Sequence, residues 1–407
     1  MTLIECFTES HIDNIAASLR LQPEKMVLVG DEDMMTDSAE RYRQFFRGRG
    51  QKTQVVLWNT RDMDLGALRE SLDTLIRREE DCVIDLTGGD ELVVMAIGAV
   101  LVQLEEQLRQ RIRVEKYDWE TGRVRSCIGD QCGISYRQEQ LSVEELVALH
   151  GGCLHWESYQ PPEGSTVRDI RGLWRVVSED PKEWNKAVQM LNEFESRADS
   201  RNQVYLPLHY LRGSITDFDR KETAVRELLD KLQRRGVLRD ESSAYALEYT
   251  YESRLLSYCT DKAGNALEVK TLLEGRKMTE DGRPFFEDCR MSVSIDWDGV
   301  VHDPILRIPE TRNEVDVVLM HGLTPLFISC KNGAVNEDEL YKLHTVAQRF
   351  GGPYAKKMLI ATDMNQGSVS SNRAFIQRAW DMDIFLVTDA AELSDAEWEA
   401  AFRQAVL

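Results

Sequence analysis

The chain has 407 residues, 42% of them hydrophobic, which is long for one domain and ample for more than one packed core. Its formal charge of −20 argues against an extended nonspecific grip on nucleic acid, which needs a basic footprint, although basic residues gather locally at 41–52, 109–116 and 220–239. No apolar run reaches membrane-span length, the opening MTLIECF lacks the basic segment of an export signal, and the eight cysteines follow no disulfide spacing, so a cytoplasmic protein with reduced thiols is expected.

From the N-terminus, strand patterns at 3–7, 26–29, 54–58, 82–86 and 112–117 alternate with helical patterns near 11–20, 37–47, 64–78 and 91–108. Repeated β-α units predict a parallel, doubly wound Rossmann-like sheet over residues 1–150, with ligands at the carboxyl ends of its strands. Two loops fall at such ends: Thr8-Glu9-Ser10-His11 after the first strand, and Thr87-Gly88-Gly89-Asp90 after the fourth. Each opens a helix, whose free N–H groups and dipole favour an anion, and two glycines allow close backbone approach. A tight turn at Gly88 and Gly89 with Asp90 as helix cap fits the same residues. Neither a dinucleotide fingerprint nor a P-loop is present.

The stretch after 120 is less regular. Cys132, His150, Cys153 and His155 match no standard zinc spacing, and Pro161, Pro162 and Gly164 read as a linker. Within 151–255, residues 222–235 form an amphipathic helix with Val225, Leu228, Leu229 and Leu232 on one face; Gly236 ends it, and 245–251 alternate as a strand. Helix, glycine and strand pair suggest a winged helix-turn-helix, with DNA reading and a dimerisation or spacer role as open alternatives.

From 256 to 407 the predicted order is α-β-β-β-α-β. A helix at 265–274 carries Glu268. A strand at 291–297 leads through Asp298-Gly299 to a partner at 300–303. A hairpin spans 312–331, turning at His321 and Gly322, and a helix at 338–350 is capped by Asn336. Strand alternation places Glu314 and Asp316 on one face, Ser329 and Lys331 together on the second strand, and Val315, Val317, Ile328 and Cys330 toward a core. Carboxylates and an amine at the edge of a buried sheet carry a desolvation cost unless they pair or hold a metal.

That order, with Glu268 on the first helix and Asp316, Ser329 and Lys331 on the hairpin, resembles the PD-(D/E)XK nuclease core; N-E-V-D-V at 313–317 with F-I-S-C-K-N-G at 327–333 is its most specific part. The Ser/Thr-rich first loop and Thr87-Gly88-Gly89 resemble a CARF domain. Together the chain resembles the cyclic-oligoadenylate-activated effector nucleases of type III CRISPR systems. The resemblance implies a homodimer binding cyclic tetra-adenylate as allosteric activator through Ser10, His11, Thr87, Gly88, Gly89 and Asp90. It implies DNA as substrate, RNA in some members, and no membrane. It also implies Mg²⁺ or Mn²⁺ held by Asp316, Glu268, Glu314 and the Cys330 carbonyl, with Lys331 acting on the attacking water or the developing charge. His302 and His344 are further candidates near that site. Two departures stand out: Ser329 replaces the usual acid, and Asp90-Glu91 follow the glycines where the family often has Thr-Lys. An ion pair between Asp316 and Lys331 in an inactive nuclease fold is the alternative to catalysis.

Overall fold

The structure is a computed structural model and describes residues 1–79, 81–119, 123–127, 139–155, 159–198, 200–299, 312–333, 335–362 and 369–407. Cys132, His302 and the strand expected at 300–303 lie outside the described residues. Two compact units are formed: Met1–Cys153 with Asp296–Thr311 and Arg349–Tyr354, and Leu154–Ile295 with Arg312–Gln348 and Ala355–Leu407.

In the first unit, β1 (Thr2–Cys6), α1 (His11–Leu21), β2 (Lys25–Gly30), α2 (Glu32–Gly48), β3 (Gln54–Asn59), α3 (Leu65–Arg78) and β4 (Cys82–Asp85) alternate as expected. They are followed by α4 (Glu91–Gln103), α5 (Glu106–Arg109), β5 (Ile112–Asp118), β6 (Arg123–Ser126) and α6 (Val143–Leu149). The helix expected over 91–108 is broken, because Leu104 turns extended (φ −68°, ψ 142°) while its side chain stays in the core with Val100 and Leu101. The sheet order is β3-β2-β1-β4-β5-β6, parallel except for β6 against β5. The chain winds to one side of β1 through β2 and β3, then to the other through β4 and β5. The order therefore reverses between β1 and β4, where an open α/β sheet leaves a crevice at its carboxyl ends. The loops at 8–11 and 87–90 leave those two strands.

The second unit begins with α7 (Arg171–Glu179), α8 (Pro181–Glu195), β8 (Gln203–Pro207), α9 (Leu208–Leu211), α10 (Phe218–Arg234), β9 (Leu238–Asp240) and β10 (Ala246–Tyr251). The strands make a small sheet ordered β8-β10-β9. Next come α11 (Arg254–Asp261), α12 (Asn265–Lys277), the short pair β11 (Thr279–Glu280) and β12 (Arg283–Pro284), β13 (Asp288–Asp296), β14 (Arg312–His321) and β15 (Thr324–Lys331). The chain ends with α13 (Glu337–Gly351), β16 (Lys356–Ala361), α14 (Val369–Asp381), β17 (Ile384–Val387) and α15 (Asp395–Val406). A six-stranded sheet runs β17-β16-β15-β14-β13-β7, where β7 (Cys153–His155) is a strand the sequence pattern does not reveal. Val317 on β14 lies opposite Ile328 on β15, antiparallel, and β15, β16 and β17 run parallel.

One hydrophobic core joins Trp184, Leu191 and Leu229 of the middle region to Leu267 and Leu272 of α12 and to Val317, Ile328 and Ile360 of the sheet. Val318, Phe327 and Leu359, on the opposite parity of those strands, are also fully buried, so both faces of the sheet are covered. Among the described residues, no helix is long and apolar enough to cross a membrane.

Candidate active site and ligand loops

Asp316 stands where β14 approaches the end of β15, and three donors converge on its Oδ2. The Cys330 N–H donates at 2.6 Å, the Ser329 hydroxyl at 3.2 Å, and the Lys331 ammonium lies 3.6 Å away. The Cys330 thiol points into the core, toward the Thr271 hydroxyl at 3.5 Å, so only its backbone belongs to the site. Ser329 is 8% exposed and shares its strand face with Lys331, as alternation predicts.

Lys331 has a second partner, carried by the helix that Asn336 caps. Glu339, in the first turn of α13, ion-pairs with it at 3.0 Å. The Glu339 N–H also donates to the expected cap, Asn336, at 3.2 Å. Burial alone would lower the Lys331 pKa, but Asp316 and Glu339 outweigh burial and hold it above the ordinary lysine value.

Glu268 projects from the first turn of α12 and is half-buried. Burial pushes its pKa up to about 8, and the negative fields of Asp316 and Glu314 add to that rise. Its Oε2 accepts from the Ser292 hydroxyl at 3.4 Å, and Ser292 in turn lies 3.2 Å from the Tyr258 hydroxyl. Ser292 is buried in β13 with φ +47°, a left-handed conformation that a non-glycine residue seldom adopts inside a strand. Glu314 is exposed, on the same strand face as Asp316. His344 lies apart from these groups, with its Nδ1 3.3 Å from the Lys357 amine.

Among the described residues, no three His, Cys, Asp or Glu side chains are grouped to hold a metal ion by themselves. The donor set at Asp316 and Glu268 nevertheless suits a hard cation. Mg²⁺ keeps several waters and takes one or two carboxylates, and repulsion between two half-buried acids is what a cation would relieve.

In the first unit the two loops pack on each other. A Cβ on Gly88 would meet Thr8 Cγ2 at 2.5 Å; one on Gly89, where φ is +104°, would meet Cys6 Cβ at 2.4 Å. The glycines are thus required by the close approach of the end of β1 and the loop that follows it. The Thr87 hydroxyl donates to Asp85 and accepts from the Tyr117 N–H at 2.8 Å. Asp90 caps α4, accepting from the Leu92 N–H at 2.8 Å. Ser10 occupies the N-cap of α1 without using its side chain as the cap. His11 Nδ1 sits 2.9 Å from the Tyr42 hydroxyl, and its ring meets His150 edge-on at 5.1 Å. Burial, then the positive surroundings of His150, Arg41 and Arg349, depress the His11 pKa to about 3, leaving a neutral imidazole.

Beside His11 lies an arrangement absent from the sequence reading. Asp13 accepts from Trp119 Nε1 at 2.7 Å and from the Tyr354 hydroxyl at 3.3 Å, and the two aromatic rings stack at 4.0 Å. No local motif marks it, since residues 13, 119 and 354 are far apart in the chain.

No family model and no curated protein matches the chain. Two solved structures share its fold over almost their full length. Protein VC1899 from Vibrio cholerae is 14% identical with a TM-score of 0.74, covering 99% of this chain and 97% of that one. Can2 from Sulfobacillus thermosulfidooxidans, solved in complex with cyclic tetra-adenylate (cA4), is 14% identical with a TM-score of 0.65, covering 100% and 99%.

Proposed function

We propose that the chain is a cyclic tetra-adenylate-activated, metal-dependent nuclease that cleaves or nicks DNA, with RNA as a second substrate class, in cytoplasmic type III CRISPR antiviral defence. The convergence of Asp316, Lys331 and the field of Glu268 at the end of β15 carries this reading. The fold shared with the cA4-bound Can2 supports the activator.

In this reading Asp316 and Glu268 would hold Mg²⁺ or Mn²⁺, with Glu314 and the Cys330 carbonyl as the further protein groups that would contribute to holding it. The cation, when bound, makes a water nucleophilic and neutralises charge on the scissile phosphate. Lys331 stays protonated between Asp316 and Glu339, so its ammonium orients the attacking water or donates to a non-bridging phosphate oxygen. Ser329 and the Cys330 N–H aim the Asp316 carboxylate, a task that does not require an acid at position 329.

The activator ring would lie across the β1 and β4 loops. The Thr87 N–H and hydroxyl and the Asp90 Oδ1 are committed within the protein, so the backbone N–H groups of Gly88 and Gly89, with Ser10 and neutral His11, are the groups left to meet phosphates and riboses. A homodimer would place two such crevices together. The exposed apolar stripe Leu92, Met95 and Val102 on α4, the helix leaving the second loop, supports that pairing, Met95 being 58% and Val102 80% exposed.

A cleavage assay crossing activator, divalent metal and substrate type tests the proposal: cutting is expected only with cA4 and metal together. A second reading is a ligand-responsive DNA-binding regulator using the region around α10 with an inactive nuclease fold. Ser329 in place of an acid favours it. Salt-sensitive, ligand-dependent duplex binding with no cleavage in Mg²⁺ or Mn²⁺ would decide for it.

A further inference from the structure

Three side chains of α8 reach two segments that bear the proposed catalytic groups. The Trp184 indole N–H donates to the Ala263 carbonyl at 3.0 Å, and Asn192 Nδ2 donates to the Asp261 carbonyl at 2.8 Å. The Asp261 carbonyl ends α11, and the Ala263 carbonyl lies in the turn that follows it and launches α12 and Glu268. Between them Asn185 forms a reciprocal pair with Asn332, the residue directly after Lys331. Its Nδ2 donates to the Asn332 carbonyl, and its Oδ1 accepts from Asn332 Nδ2 at 2.8 Å.

Asn332 is held at both ends of its amide. Its Nδ2 also donates to the Ala263 carbonyl at 3.2 Å, and its Oδ1 accepts from the Thr362 hydroxyl at 2.7 Å. The Thr362 N–H donates to the Lys331 carbonyl at 3.1 Å. One amide side chain thus ties the α12 launch, the end of β15 and the end of β16 together, and α8 grips it from outside. Every hydrogen-bonding atom of the Asn332 amide is used, which is characteristic of a specified polar contact rather than a solvated loop.

We infer that Asn185 and Asn332 are positioning residues that set the spacing between Glu268 and the Asp316–Lys331 pair, making α8 of the middle region a structural part of the active site. This rests on the proposed nuclease reading. The physical reason is tolerance: reacting groups misplaced by about 1 Å lose rate on the order of a hundredfold, and outer partners of metal ligands contribute about 10–100-fold in affinity or activity. Glu268 and Asp316 come from separate elements, so backbone stiffness within either one does not fix the gap.

The test compares wild type with Asn185→Ala and, as a milder second variant that keeps the packing, Trp184→Phe. Mn²⁺ affinity is read by calorimetry, kcat and KM in the activated assay, and backbone hydrogen exchange over 261–268 and 329–333. Expected are faster exchange in both segments, Mn²⁺ affinity and kcat lower by about tenfold or more for Asn185→Ala, an unchanged KM, and unchanged cA4 binding. A role in stability alone would lower the melting temperature and leave Mn²⁺ affinity of the folded protein untouched; that result overturns the inference. Unchanged exchange in both variants overturns it as well. Wild type that neither binds Mn²⁺ nor cleaves would sink the nuclease reading and with it the catalytic role, while the exchange data would still report separately whether the brace exists.

Discussion

The Lys331 ammonium lies 3.6 Å from Asp316 Oδ2 and 3.0 Å from a Glu339 oxygen, so one cation is shared by two carboxylates carried on a strand and a helix. Only one of these partners is expected to touch the chemistry. Lys331→Ala should abolish cleavage, while cA4 binding measured by calorimetry stays within about twofold, because the activator loops belong to the other unit. Glu339→Gln should leave measurable cleavage but move the alkaline limb of its pH profile downward, since one of the groups raising the Lys331 pKa is gone.

Glu268 makes metal-free stability depend on pH. Its pKa is raised from 4.5 to about 8 in the folded protein, so between those values the folded chain binds more protons than the unfolded one. Stability from this group is therefore greatest at low pH and falls as pH rises through that window. Denaturant melts of the apo protein should show the decline, Glu268→Gln should flatten it, and Mn²⁺ should bind more tightly as pH rises because it displaces a proton.

His11 predicts an insensitivity. With its pKa near 3 it carries no charge between pH 5 and 8, so its protonation should not contribute to any change of cA4 affinity across that range. An imidazole titration followed by NMR should show no His11 midpoint above pH 5. His11→Ala should weaken cA4 binding by removing a neutral hydrogen-bonding group.

Gly88 and Gly89 differ in what can rescue them. Gly88→Ala meets a side-chain methyl, Thr8 Cγ2, and should cost about 1–3 kcal/mol, recovered in part by Thr8→Ser. Gly89→Ala meets Cys6 Cβ at an unfavourable φ, so it should cost more and resist that rescue. Chemical denaturation of the single and double variants separates the two.

The α4 stripe predicts the assembly state. Met95→Glu leaves the core-facing Val93, Ala96 and Ile97 untouched and should not change the melting temperature of the isolated chain, yet it should convert a dimer to monomers in sedimentation velocity. A wild-type monomer with and without cA4 would remove the two-crevice model.

Much of this molecule was written locally. The β-α alternation, the hairpin at 312–331 and its two faces, and the order α-β-β-β-α-β all follow from period and turn chemistry, which depend on neighbours a few residues away. Alternation alone put Ser329 and Lys331 on one face and Cys330 on the other. The tertiary structure decided what meets across elements: Glu339 of α13 on Lys331 of β15 and, across long separations, Asp13 with Trp119 and Tyr354, and Asn185 on Asn332. It also showed that Thr87 and Asp90 are already bonded within their own unit, and that Gly88 and Gly89 are small because a neighbouring strand end leaves no room. Such pairings leave no period in the sequence, since a contact between residues a hundred positions apart is set by how the layers pack and not by the spacing of either partner.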